Sequence, residues 1–416
     1  METLELQEAK DTVLTRNWIA FGLCMVSYIL SGTVSTLMSV YLPVAIPDLL
    51  NRSVSEAELG EIGAYVNATF LYGWMFGGLL FGLVSDKIGR VQTLALVTGL
   101  SGLGTCLVVI VPDWHVLMGL RFLTGMGVGG VLLVSTVYIS EIWEKRTRPV
   151  MLGILAVSFP IGIVATGSLN ILFAEWRPAF GLGIIPIAVA VLILLLTKES
   201  TSWQQTKTQI SPNPESIFDK TNRPNLIAGS VIFGSVLIGL WGIFSWLPTW
   251  VQTLLAAGED GQKQRGLTMV LLGLGGITGG ILSGFLIRNF GSRKTLMMTF
   301  SGCIVMCGIL FITNHTFSTI VYVETAVLSL FFGISQGALS SYIPELFPVV
   351  IRATATGFCF NIGRFFTATA VFFIGALVAT LGGFGNALMV FSIPFLIALT
   401  AAWFSRDTDT TIKNLS

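Results

Sequence analysis

The sequence predicts an all-α membrane protein of twelve transmembrane helices, arranged as two pseudo-symmetric six-helix halves. Three observations predict it. Of 416 residues, 53% are hydrophobic and 11% are charged, where soluble domains carry about 25% charged residues; the mean hydropathy is +0.81. Apolar runs of about twenty residues recur along the chain, each long enough to cross a bilayer core of ~30 Å as a helix. The charged segments between these runs repeat once, half a chain apart. A net charge of +1 leaves no basic footprint for nucleic acid.

In order, spans are expected near 18–46, 62–84, 92–111, 115–140, 150–173 and 178–196, then near 225–254, 267–287, 294–312, 317–343, 353–380 and 384–404. The first run lacks a small-residue cleavage site and is too long for a signal-peptide core, so it is read as a retained span. An N-terminal bundle then covers 1–197, a polar cytoplasmic linker 198–223 and a C-terminal bundle 224–416. With both termini on one side, that side collects 17 of the 23 basic residues, including Lys10, Lys145, Lys207, Arg406 and Lys413. The other side has Arg52, Arg177, Lys263 and Arg265. Basic loops stay in the cytoplasm, which puts both termini there.

The internal repeat is read from the loops. Glu141 and Arg148 follow the fourth span, and Glu345 and Arg352 follow the tenth, at an offset of 204. "GLVSDKIGRVQTL" after the second span is matched by "GFLIRNFGSRKTL" after the eighth, Gly82 falling on Gly284 at an offset of 202. Asp86, Glu141 and Glu345 stand at membrane boundaries beside Arg90, Arg148 and Arg352. Such pairs can latch helix ends together in one state and part in another; topology alone explains the arginines but not the acids. Gly73/Gly77, Gly78/Gly82, Gly276/Gly280 and Gly280/Gly284 have the spacing that lets helices approach closely. Gly125, Gly127 and Gly130 spell a dinucleotide fingerprint, but inside an apolar helix with no preceding strand, so no nucleotide is expected. The five cysteines lie in apolar runs and behave as small hydrophobes. With only two histidines, no metal, disulfide or cofactor is indicated.

Three charges fall within spans: Arg121, Glu324 and Arg364. A charged side chain at mid-bilayer costs about 2.5–3.5 kcal/mol on insertion scales, so such residues usually face a polar cavity. Arg364 lies twelve residues past Arg352, about 18 Å along the helix. Asn361 shares its face one turn earlier, and its span holds no acid. Either a substrate anion neutralises Arg364, or carbonyls or Glu324 satisfy it. Arg121 and Glu324 sit at similar depth in the fourth and tenth spans. Glu324 is open to three roles: a coupling proton carrier, a gate ion-pair partner or a structural pair. Ser27, Ser31, Ser35 and Ser39 form a ridge on the first span that fits either a wet pathway or helix packing. Trp250 is expected as an interfacial anchor and Trp241 as a surface for a ligand ring. Arg121, with Tyr28 and Gln336 in the first and tenth spans, completes the candidate substrate contacts.

These motifs resemble the major facilitator superfamily. Gly82, Asp86, Lys87, Gly89 and Arg90 match its signature after the second span. Arg121, Gly125, Gly127, Gly129 and Gly130 resemble its fourth-span motif. Glu141–Arg148 and Glu345–Pro348–Arg352 match its acid-to-arginine motif. Arg288 departs from it where Asp86 has its counterpart, as does Glu144 in place of a proline. The resemblance implies two six-helix bundles around a central cavity, lined in part by the fourth and tenth spans. "WGIFSWLPTW", "PELFPVVIRATATGFCFNIGR" and "KESTSW" look like sialate:proton and aromatic-acid:proton symporters. That implies a secondary transporter, not an enzyme, importing a small organic anion with protons across the bacterial inner membrane, in contact with lipid and as a monomer. Some relatives carry an acid in the first span; "SYILSGTVST" has none. A sugar porter would carry Gln and Asn in the seventh span, absent between Asn225 and Gln252. A drug or metabolite exporter would carry a Gly-Pro pair where "SFPIGIVATG" has the proline alone. A ligand receptor that does not transport is the remaining alternative.

Overall fold

In a computed structural model the structure describes residues 2–144, 146–206, 217–256, 258–348 and 351–405. Lys145, Lys207, Arg406, Lys413, the side chain of Lys10 and the middle of the linker lie outside the described residues. The described chain is helical, without strands. Twelve helices are long and apolar enough to span a membrane: Thr15–Leu50, Glu56–Ile88, Arg90–Ile110, Trp114–Ile142, Val150–Leu172, Trp176–Leu196, Arg223–Thr253, Gln262–Phe290, Ser292–Thr313, Ile320–Glu345, Thr354–Leu381 and Phe384–Phe404. They are called the first to twelfth spans. Large apolar side chains such as Leu83, Leu195 and Phe285 point outward, a belt that only lipid covers favourably.

The boundaries have local causes. Gly89 (φ 109°) separates the second span from the third, and Gly291 (φ 83°) separates the eighth from the ninth, conformations that favour glycine. Asp113 starts the fourth span, its carboxylate accepting from the backbone N–H of His115 (2.8 Å) and Val116 (3.1 Å). The Val116 bond leads in holding this carboxyl below the usual carboxylate range.

Each half is built the same way. In lipid the hydrophobic effect does not press helices together, so close backbone approach must supply the attraction. A Cβ added to Gly77 would lie 2.0 Å from the Met126 carbonyl oxygen, and one on Gly129 2.1 Å from that of Trp74. These contacts seat the second span on the fourth. The eighth seats on the tenth likewise, through Gly279 against Leu330 (2.1 Å) and Gly333 against Gly276 (2.3 Å). Gly32 and Gly162 join the first span to the fifth, and Gly234 and Gly363 join the seventh to the eleventh.

The structure corrects two expectations and decides between the alternatives of a third. An added Cβ at Gly82 would press only on the end of the Leu133 side chain, at 3.0 Å, and one at Gly284 would meet nothing within 4 Å, so neither marks a close crossing of backbones. The ridge Ser27, Ser31, Ser35 and Ser39 is buried throughout, and Ser27 and Ser35 donate to carbonyls of their own helix; this is packing. Trp250 is no interfacial anchor: it is buried against Phe311, with ring centroids 5.0 Å apart.

If backbone contact at glycine holds each half together, Gly77→Ala should destabilise the protein by about 1–3 kcal/mol. Gly119→Ala, with nothing within 4 Å of the new Cβ, should be neutral or stabilising by up to about 1 kcal/mol. Thermal unfolding of the purified variants separates the two.

Candidate functional site

Two seams join the halves, the second span against the eleventh and the fifth against the eighth. Both are tight at the end away from the basic loops. There an added Cβ at Gly375 would lie 2.5 Å from the Glu61 Cα, and one at Gly167 2.4 Å from the Gly266 carbonyl oxygen. Along the fifth–eighth seam the clearance then grows. It is 2.5 Å at Gly273, 3.6 Å at Gly276 and 3.8 Å at Gly280, and nothing lies within 4 Å at Gly284. The second–eleventh seam widens likewise. Tyr72 and Thr369 are bonded at 2.8 Å, Gly78 has 3.7 Å to Asn361, and Gly357 meets nothing within 4 Å. The molecule is a wedge, closed at one end and open at the basic end.

The closed end is sealed by side chains crossing between halves. Gln262 donates to the Asn170 carbonyl at 2.8 Å. Arg265, 1% exposed, sends its Nε to the Val40 carbonyl of the other half at 3.0 Å, and its Nη1 to the Asp260 carbonyl at 2.7 Å and to Gln252 Oε1. Counted by sequence as an external loop charge, Arg265 is part of the seal.

At the depth where the seams part lies Arg364. It is half-buried and makes no hydrogen bond or ion pair with any described residue. Its guanidinium carbon stands 5.9 Å from the Trp74 ring. Trp74 packs edge-on against Trp241 (5.2 Å between centroids) and against Phe159 (5.8 Å). Tyr28 lies within electrostatic reach of Arg364, but its hydroxyl is engaged with the Leu132 carbonyl (2.8 Å) and Thr136 (2.7 Å). Asn361 Nδ2 donates to the Gly357 carbonyl at 2.9 Å. Gln336 keeps a buried amide nitrogen without a hydrogen-bond partner. Trp74 was absent from the residues singled out by sequence. The repeat could have pointed to it: at offset 202 it answers Gly276, and at offset 204 Arg364 answers Pro160. One seam carries glycine and proline where the other carries tryptophan and arginine.

Arg121 and Glu324 do not meet. Arg121, 1% exposed, donates to the carbonyls of Val34 (2.8 Å) and Ser35 (2.9 Å), with its guanidinium 4.2 Å above the Phe70 ring. Glu324 accepts from Asn314 Nδ2 at 2.6 Å. Phe331, two turns along the same face, packs at Gly302 of the ninth span. That face looks away from the open wedge.

At the basic end the latch residues divide. Arg90 bridges Asp86 (2.6 Å) and Glu141 (2.9 Å) and donates to Ser85, tying the second, third and fourth spans into one block. Glu199, which sequence reasoning passed over inside "KESTSW", caps the third span: its carboxylate accepts from the backbone N–H of Arg90 (2.8 Å) and Val91 (3.1 Å). The spacing of seven does not pair Glu141 with Arg148. Arg148 instead donates to the Trp143 carbonyl (3.1 Å), and Arg352 to that of Phe347 (3.3 Å), each five residues back. In the second half Ser292 stands where Arg90 does, and it is linked through Ser341 to Glu345 (3.2 and 3.1 Å). Arg288 is exposed, and Arg293 reaches the Ala402 carbonyl of the twelfth span at 2.9 Å.

Comparison with known proteins agrees with this architecture. The family model described as the Major Facilitator Superfamily matches residues 24–369. A cis,cis-muconate transport protein of Acinetobacter baylyi is 28% identical over 359 residues, 83% of this chain and 84% of its own length. The sialic acid transporter NanX of Escherichia coli is 27% identical over 294 residues, 69% of this chain and 71% of its own. The inward-open xylose transporter XylE of E. coli shares the fold with a TM-score of 0.75 at 16% identity, over 94% of this chain and 96% of that one.

A wedge open at one end makes a direct prediction. Cysteines placed at Gly284 and Gly357 should react rapidly with a water-soluble maleimide in the purified protein. Cysteines at Val164 and Val270, on the closed part of the fifth–eighth seam, should stay unlabelled until the protein is denatured.

Proposed function

The chain belongs to the Major Facilitator Superfamily and is a transporter rather than an enzyme, and on that premise we propose that it carries a small planar organic anion by alternating access, with Arg364 holding the carboxylate. The single observation behind this is an arginine at the foot of the open wedge that no described residue neutralises. Guanidinium presents a planar fork that receives a carboxylate through two parallel hydrogen bonds. Trp74, Trp241 and Phe159 give the rest of the ligand an aromatic surface. Few free hydrogen-bonding groups accompany them, which favours an unsaturated or aromatic acid over a polyhydroxylated sugar. That a relative is named for muconate supports the same class.

In this reading the protein is a monomer in the bacterial inner membrane, with the basic end and both termini in the cytoplasm. The wedge then faces inward, and the Arg265 seal closes the outside. The Arg90 cluster and the glycine contacts keep each half rigid while the seams exchange which end is shut. Arg121, held through Nη1 and Nη2 by two carbonyls of its own half with only its Nε left unpaired, is read as structural. Glu324 ties the ninth and tenth spans together and stays out of the substrate path, so a coupling proton would not travel through it.

Binding tests this. Thermal unfolding of wild type should be recorded with muconate, benzoate, nicotinate, sialic acid and xylose. An acid at ~100 times its Kd should stabilise the protein by about 2.7 kcal/mol. Arg364→Ala should abolish that response, and Arg364→Lys should retain part of it. Stabilisation by xylose, or an acid response unchanged in Arg364→Ala, would point to a sugar porter.

A further inference from the structure

We infer that the transporter works as an exchanger: a carboxylate bound at Arg364 leaves one side only as another is carried back, because the empty carrier does not return readily. This rests on the proposed carboxylate site and adds the mode of transport.

The inference follows from a missing counter-charge. Around Arg364 the first span presents Tyr28, the second Trp74 and Gly78, and the seventh Trp241. Its own span adds Asn361. None of these is an acid. Among the described residues, the acids of the bundle lie toward its ends, and those nearest in the packed spans have partners of their own. Asp86 and Glu141 are paired with Arg90, and Glu324 is bonded to Asn314. In the open wedge water can reach Arg364. To change sides, the seams must close below Arg364 before they part above it, and in between the guanidinium is shut against Trp74, Trp241 and Phe159. Arginine cannot shed its proton, and an uncompensated charge in that setting is strongly disfavoured. A bound carboxylate cancels the charge and fills the fork. Loaded transit is therefore the easier route in both directions. Arg121 raises no such barrier, since its two carbonyl partners travel with it.

The experiment uses full-length protein in proteoliposomes with radiolabelled muconate and nicotinate. Each uptake is measured with the same unlabelled acid inside, or with none inside and an imposed inward proton gradient. Internal acid should speed uptake by about tenfold or more, the mark of a slow empty return, and the proton gradient should not substitute for it. Asn361→Asp, which sets a carboxylate one turn from Arg364, should raise uptake into acid-free vesicles and flatten the response to internal acid. Equal uptake into acid-free vesicles under the proton gradient would overturn exchange and leave the carboxylate site standing. No uptake in any arm, with no acid shifting thermal unfolding, would overturn the carboxylate site and exchange with it.

Discussion

An arginine inside a bilayer keeps its proton, so the fold must bring it either oxygen atoms or water. The structure uses both solutions. Arg121 and Arg265 are almost fully buried and are given backbone carbonyls, two from the first span for Arg121 and one across the seam for Arg265. Arg364 is given none among the described residues, and it sits where the wedge between the halves opens. The first two arginines are thereby tied to the backbone. The third is left with a charge for something mobile to cancel.

The framework makes that contrast possible. Glycines set against carbonyl oxygens hold the second span to the fourth and the eighth to the tenth, so each half moves as one body. Between the halves the contacts are of another kind, close at one end and gone at the other, which is the geometry of a rocking seam. The pseudo-symmetry is broken at the seams. Pro160 and Gly276 make the fifth–eighth seam slim, whereas Arg364 and Trp74 stand at the matching positions of the second–eleventh seam. The halves differ again at the basic end, where Arg90 stands in an ion cluster and Ser292, at the matching position, bonds to Ser341.

Much of the fold was legible in the sequence, because lipid demands apolar runs of about twenty residues and charged loops punctuate them. The twelve spans, the repeat and the mid-membrane depth of Arg364 follow from that alone. Rotation about a helix axis does not. Depth brought Glu324 and Arg121 together on paper, whereas the structure turns Glu324 toward Asn314 and the ninth span. The seven-residue spacing of Glu141 and Arg148 spans a break after the fourth helix, so helical spacing did not apply, and Arg148 turned to the nearby Trp143 carbonyl. Arg265 looked like a loop charge because composition cannot show a side chain folding inward. Trp74 is one apolar residue among many until a folded chain sets it beside Arg364.

The central claim is that Arg364 holds the substrate's carboxylate at the foot of the wedge. The most direct measurement is an experimental structure with a bromobenzoate bound, the bromine located by anomalous scattering. The account predicts the carboxylate within hydrogen-bonding distance of the Arg364 guanidinium and the ring against Trp74 and Trp241. Bromine found elsewhere in the bundle, with Arg364 still unpartnered, would contradict it.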